Sequence, residues 1–220
     1  MFENIIKNVH NRHPLIHCIT NYVSINDCAN IVLACGGAPI MAEDINEVSQ
    51  ITSICQGLDI NIGMLNDNKL SSMLKAGATA NELGIPVILD PVGAGSSDYR
   101  IKAVQNLMSN VQFGVIRGNV SEIKAIAAKQ GIHNIAAGVY ETMQKNKSAM
   151  GVEAGIADKI TDDNIKEMAD FINKLSQKTG AVIAVTGRID MVADENRVYA
   201  IRNGHKILTH PLWKGELKTG

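Results

Sequence analysis

A short apolar run with a charged end constrains this chain most. Pro86-Val87-Ile88-Leu89 is followed by Asp90-Pro91-Val92-Gly93-Ala94-Gly95. A run without two-residue alternation suits a strand buried on both faces of a parallel sheet. The pattern recurs at Leu15 to Thr20, Ala38 to Met41, Leu58 to Ile62, Phe113 to Ile116 and Ala181 to Val185. Helical patterns lie between these runs. One follows Ser24 or Asn26 through Leu33, with Cys28, Val32 and Cys35 on one face. Others cover Ile45 to Ile54, Asp67 to Leu83 (Leu70, Met73, Leu74 and Gly77 inward), Tyr99 to Met108 and Ser121 to Lys129. The last runs from Asp162 or Asp163 to Lys178, with Ile165, Met168, Ala169, Ile172 and Leu175 inward. Alternating strand and helix predicts right-handed crossovers, an α/β class and a mainly parallel sheet flanked by helices. Asp190 to Ala193 and Val198 to Ile201 flank Asp194-Glu195-Asn196 and predict an antiparallel edge hairpin. Asn203-Gly204 signals another tight turn, before Lys206 to Thr209. Residues 131–155 are weakly patterned, with a helix expected near Val139 to Lys145. One domain is expected over residues 1–220, with a divergent tail from 209.

Composition removes several function classes. Lys and Arg number 21 against 22 Asp and Glu, and aromatics are 4%. That balance, with no basic stripe, argues against a nucleic-acid partner. Cys18, Cys28, Cys35 and Cys55 form no C-x-x-C pair and read as reduced, mostly buried thiols of a cytoplasmic protein. No signal-peptide pattern opens the chain, and no apolar run reaches membrane-span length. The P-loop pattern, the third glycine of a dinucleotide fingerprint, compact histidine spacing for zinc and a G-x-S-x-G elbow are all missing from the sequence. His17 and His205 read as structural.

The strand ends carry the candidate chemistry. Open α/β sheets bind ligands beyond the carboxyl ends of their strands. Asp90 stands at such an end, where a carboxylate suits Mg²⁺, directly or through water. The glycine-rich turn after it frees backbone N–H groups for phosphate. The same Asp equally suits a cap that only holds its own turn. Arg117, at the next strand's end, suits bidentate phosphate contact. Glu122 suits either a second Mg²⁺ contact, or activation of a bound water, or simple complementation of a helix dipole. Thr186 offers a hydroxyl to phosphate or to its own turn, and Met41 suits an apolar ligand wall or plain core filling.

Several collinear stretches resemble the hydroxyethylthiazole kinase family of the ribokinase-like superfamily. They are H-x-I-T-N-Y-V at His17 to Val23, G-G-A-P-I-M-A at Gly36 to Ala42, N-I-G at Asn61 to Gly63 and P-V-I-L-D-P-V-G-A-G at Pro86 to Gly95. I-R-G-N-x-x-E at Ile116 to Glu122, G-V-E at Gly151 to Glu153, A-V-T-G at Ala184 to Gly187 and N-G-H-K-x-L-T at Asn203 to Thr209 continue the match. It spans about residues 12–209. The resemblance implies ATP- and Mg²⁺-dependent phosphorylation of the hydroxyl of 4-methyl-5-(2-hydroxyethyl)thiazole in thiamine biosynthesis and salvage. It implies Met41 and Asn21 at the substrate, Arg117 and Thr186 at ATP, and Asp90 and Glu122 near Mg²⁺. It also implies a cytoplasmic homotrimer with the thiazole site between subunits.

After Thr209 the sequence leaves the family pattern. It reads His210-Pro211-Leu212-Trp213-Lys214-Gly215-Glu216 in place of the glycine-rich anion-hole segment, and no cysteine follows Cys55. No catalytic residue is therefore assigned. The expectation is a truncated or frame-changed tail, missing C-terminal helices, and weak or absent turnover. The alternatives are an inactive thiazole- or nucleotide-binding chain, or a kinase of another small alcohol.

Overall fold

Helix starts and stops account for much of the local structure. Asn66 caps the helix α4 (Asp67–Glu82) by accepting from the backbone N–H of Lys69 at 2.9 Å. Gly36, with φ of 92°, ends the helix α2 (Ile25–Ala34) in the left-handed region. The computed structural model describes residues 2–129 and 159–203. The helix expected at 139–145, the G-V-E stretch at 151–153, the turn at Gly204, the stretch 206–209 and the tail from 210 lie outside the described residues.

The chain divides into two compact units, Met1–Leu89 with Ser109–Gln112, and Asp90–Met108 with Phe113–Gly220. The first contains α1 (Phe2–Arg12), β1 (Leu15–Ile19), α2, β2 (Ala38–Ile40), α3 (Val48–Ser53), β3 (Gly57–Asn61), α4 and most of β4 (Val87–Asp90). Its strands run in the order β2-β1-β3-β4. β1 is parallel to β2, with Leu15 opposite Ala38, and parallel to β3, with Ile16 opposite Gly57. Ile19, Leu58, Ile60, Ile62, Met73 and Leu89 are fully buried there. Each such side chain contributes about 1.5–3 kcal/mol by leaving water.

The second unit contains most of α5 (Asp98–Asn110), then β5 (Val115–Asn119), α6 (Val120–Lys129), α7 (Ile165–Thr179), β6 (Val182–Thr186), β7 (Asp190–Ala193) and β8 (Val198–Ile201). Its strand order is β5-β6-β7-β8. β5 and β6 are parallel, whereas β7 and β8 add antiparallel, as the hairpin pattern predicts. Leu107, Ile116, Ile123, Phe171 and Ile172 form its core. The α/β class with mainly parallel strands and an antiparallel edge is thus the observed architecture.

The structure corrects several local expectations. β4 is not buried on both faces: Val87 and Leu89 are buried, but Ile88 is 41% exposed. Successive side chains of a strand point to opposite faces, so an apolar run alone does not show that both are covered. α2 buries no residue; Cys28 and Val32 are half-buried and Cys35 is exposed. The helix expected from Ile45 begins at Val48, because the Asp44 carboxylate accepts from Asn46 N–H at 2.8 Å and makes a turn. On α4 the buried face holds Lys69, Ser72, Met73, Ala76, Gly77 and Ala80, while Leu70 and Leu74 are only half-buried. A Cβ on Gly77 would lie 2.5 Å from Val111, so close packing there needs glycine. On α7, Phe171 and Ser176 are buried, and Ile165 and Ala169 only partly so.

Candidate functional site

Two polar clusters stand at the carboxyl ends of strands, one in each unit. In the second unit Asp90 ends β4 and pairs with Arg117, Nη1 to Oδ2, at 3.5 Å. Arg117 is expected at the end of its strand; β5 continues beyond it to Asn119, which pairs opposite Thr186 of β6. The Arg117 side chain is 53% exposed and that of Asp90 20%. Thr186 Oγ1 donates to Gly118 O at 3.4 Å, within the same cluster.

Glu122 is the centre of this group. Asn119 Oδ1 accepts from Glu122 N–H at 2.9 Å, and Glu122 Oε2 accepts from Asn119 N–H at 2.8 Å. This reciprocal capping box starts α6. The other carboxylate oxygen accepts from Gly93 N–H at 3.0 Å. Glu122 therefore ties the glycine-rich turn to the start of α6. A Cβ on Gly118 would lie 3.0 Å from Glu122 Oε2, so glycine leaves room for the carboxylate. Burial pushes the Glu122 carboxyl above its ordinary range; the N–H groups of Gly93 and Asn119 pull it back, Asp90 pushes it up and Arg117 pulls it down.

The glycine-rich turn departs from the expectation of free N–H groups. Gly93 N–H goes to Glu122, Ala94 N–H to Pro91 O at 2.9 Å, and Ser96 N–H to Gly93 O at 2.9 Å. Gly93 has φ of 66°, which favours glycine, and Arg100 Nη1 donates to Val92 O at 2.7 Å. The turn is a braced support more than an open phosphate cradle.

In the first unit Asn21 follows β1. Its Nδ2 donates to Asn61 Oδ1 at 3.1 Å, and its Oδ1 accepts from Ser24 N–H and Ser24 Oγ, each at 3.1 Å. Asn61 Oδ1 also accepts from Gly63 N–H at 2.8 Å. Met41 follows β2 and is half-buried. The next residue is held by buried His17, whose Nε2 donates to Ala42 O at 2.8 Å. A carbonyl only accepts, so Nε2 carries the proton and Nδ1 accepts from Thr52 Oγ1 at 2.9 Å. Burial lowers the His17 pKa, partly offset by the Ala42 carbonyl and Glu47.

Sequence reasoning missed Asn119, Asn61 and Lys69. Asn119 was readable as the first member of an N-x-x-E box. Lys69 is 3% exposed, and only its helical spacing from Met73, Ala76 and Ala80 hints at that. Among the described residues no cluster of three or more His, Cys, Asp or Glu side chains is set to enclose a metal. Mg²⁺ in nucleotide sites uses one or two carboxylates, substrate phosphates and water instead. Asp90 with Glu122 offers that hard oxygen chemistry, Asp90 at the start of the glycine-rich turn and Glu122 hydrogen-bonded to that turn at Gly93. These residues fit the ion.

The model of the HK: Hydroxyethylthiazole kinase family matches residues 6–215 of this chain. The chain belongs to the hydroxyethylthiazole kinase family. The hydroxyethylthiazole kinase of Clostridium acetobutylicum is 52% identical over 205 residues, which are 93% of this chain and 69% of that relative. The hydroxyethylthiazole kinase of Desulfovibrio desulfuricans is 44% identical over 94% of this chain and 67% of its own length. Among solved structures, the hydroxyethylthiazole kinase protein from Pyrococcus horikoshii OT3 matches with a TM-score of 0.76 and 32% identity, covering 94% of this chain and 68% of that one. The family resemblance read from the motifs is thereby established, and with it the ribokinase-like α/β class. Among the described residues no helix is long and apolar enough to cross a membrane.

Proposed function

We propose that this chain transfers a phosphate from ATP to the hydroxyl of hydroxyethylthiazole, as its family's name describes, in thiamine salvage and biosynthesis. The observation that carries the reading is the grouping of Asp90, Arg117 and Glu122 at adjoining element ends of one unit. Phosphoryl transfer depends on positioning and charge neutralisation, with little covalent work for the protein. Arg117, largely exposed and loosely paired, suits the nucleotide phosphates, and Thr186 suits a phosphate oxygen. Asp90, with waters, would hold Mg²⁺, which when bound neutralises charge on the transferring group. Glu122 has both carboxylate oxygens engaged by backbone N–H groups, so its main work is bracing the turn that follows Asp90. Any part it has in holding the ion goes through water. Asn21 and Met41 are the proposed contacts for the thiazole alcohol. We place the reaction in the cytoplasm and the chain in a homotrimer. No general base is assigned.

Titration calorimetry of the purified chain with the thiazole alcohol and with Mg-ATP tests the reading, alongside chromatographic detection of the phosphorylated alcohol. Binding of both ligands is expected. Failure of both to bind a folded chain contradicts the proposal; binding of a different small alcohol in preference contradicts the substrate assignment.

A further inference from the structure

The first unit contains a buried ammonium that the proposed chemistry leaves unused. Lys69 lies in the first turn of α4 and is 3% exposed. Its Nζ donates to Thr20 O at 2.5 Å, pairs with Glu43 Oε2 at 2.9 Å and sits 4.4 Å from the centroid of the Tyr22 ring. The Tyr22 hydroxyl in turn donates to Glu43 Oε1. Tyr22, Glu43 and Lys69 thus close a ring of contacts, to which Thr20 O adds a further acceptor. Burial would push the Glu43 carboxyl up, but the Tyr22 hydroxyl and Lys69 together hold it below its ordinary range.

Stability alone does not explain this choice of residue. Lysine is among the side chains least often fully buried. At this position, three residues into a helix capped by Asn66, its charge also opposes the helix dipole. Buried ion pairs generally add less than apolar side chains of similar size. What the ammonium does, and an apolar side chain would not, is fix two separate loops in register. One is the segment after β1, with Asn21 between Thr20 and Tyr22. The other is the segment after β2, which runs Met41-Ala42-Glu43.

We propose that Lys69 is a positioning residue that locks the Asn21 and Met41 segments together and so presets the site for the alcohol substrate. Its link to that substrate rests on the functional reading above. The thiazole ligand then meets loops already ordered, and loses little affinity to ordering them.

The test uses the whole chain with Lys69→Met and, as a milder change at an exposed partner, Glu43→Gln. Calorimetry should show thiazole-alcohol affinity falling about tenfold or more in Lys69→Met and less in Glu43→Gln, with Mg-ATP affinity unchanged in both. Lys69→Arg should restore part of the loss. Hydrogen exchange on the ligand-free chain should show faster exchange at residues 20–22 and 41–43 in both variants, with β5 unaffected. Unchanged exchange at those segments overturns the proposal, as does equal weakening of both ligands. If the parent chain binds no thiazole alcohol, the functional reading fails, while the exchange measurement still decides whether Lys69 locks the loops. Should Lys69→Met not fold, Glu43→Gln decides by the same two measurements.

Discussion

The two polar clusters handle charge in opposite ways. In the first unit the ammonium of Lys69 is buried, and backbone, carboxylate and aromatic partners surround it. In the second, Arg117 is more than half exposed and meets Asp90 at 3.5 Å, long for a charge-assisted bond. A buried charge must have its partners in place before the chain is stable. A pair with one exposed, loosely held partner, such as Arg117, contributes about 0–1 kcal/mol and exchanges partners readily. The first cluster is therefore built to hold shape, and the second is the one we propose takes on a charged ligand. Glu122 gives the second cluster its rigid backing, through three hydrogen bonds to Gly93 and Asn119 that do not involve Arg117.

That contrast can be broken at the exposed pair first. Asp90→Asn should lower phosphoryl transfer by about 10²–10³-fold while leaving the melting temperature near that of the parent. A comparable loss of stability would show that Asp90 mainly caps its turn. Arg117→Ala should weaken Mg-ATP binding by about 10- to 100-fold, the worth of lost charge-assisted bonds, with thiazole affinity unchanged by calorimetry. Glu122→Gln should act differently: it replaces an acceptor with a donor facing a backbone N–H, and should cost about 1–3 kcal/mol in denaturant unfolding. No loss there would mean the brace is unimportant.

The smallest effect concerns His17. Its folded-state pKa is lowered, with burial the main cause. A depressed value means the neutral form stabilises the fold. That contribution is full above the unfolded value of about 6.5 and is lost as the pH falls toward the lowered folded value. Unfolding free energy should thus drop on acidification below about pH 6.5, by less than about 1.4 kcal/mol per pH unit from this group, and His17→Gln should flatten that portion of the curve.

Strand ends were the most legible part of this chain. β7 and β8 fall on the residues that the hairpin pattern marks, and β1 to β6 fall within a few residues of their apolar runs. Asp90, Arg117 and Glu122 could be grouped in advance because strand ends in such folds share an edge. Contact detail was less legible. Nothing in G-A-G tells that Gly93, Ala94 and Ser96 spend their N–H groups within the chain. Ile88 looks like its neighbours in sequence, yet alternation puts it on the exposed face. Lys69 is buried although long charged side chains generally are not, and beyond its helical spacing only the loops around it reveal this.

We propose that the Asp90–Arg117 pair is the chain's handle on a magnesium-bound nucleotide. Calorimetric titration of ATP with and without Mg²⁺, into the parent chain and into Asp90→Asn, measures this most directly. The account predicts saturable binding that is tighter with Mg²⁺ in the parent, and an advantage from Mg²⁺ that disappears in the variant. Equal Mg²⁺ dependence in both proteins would contradict it.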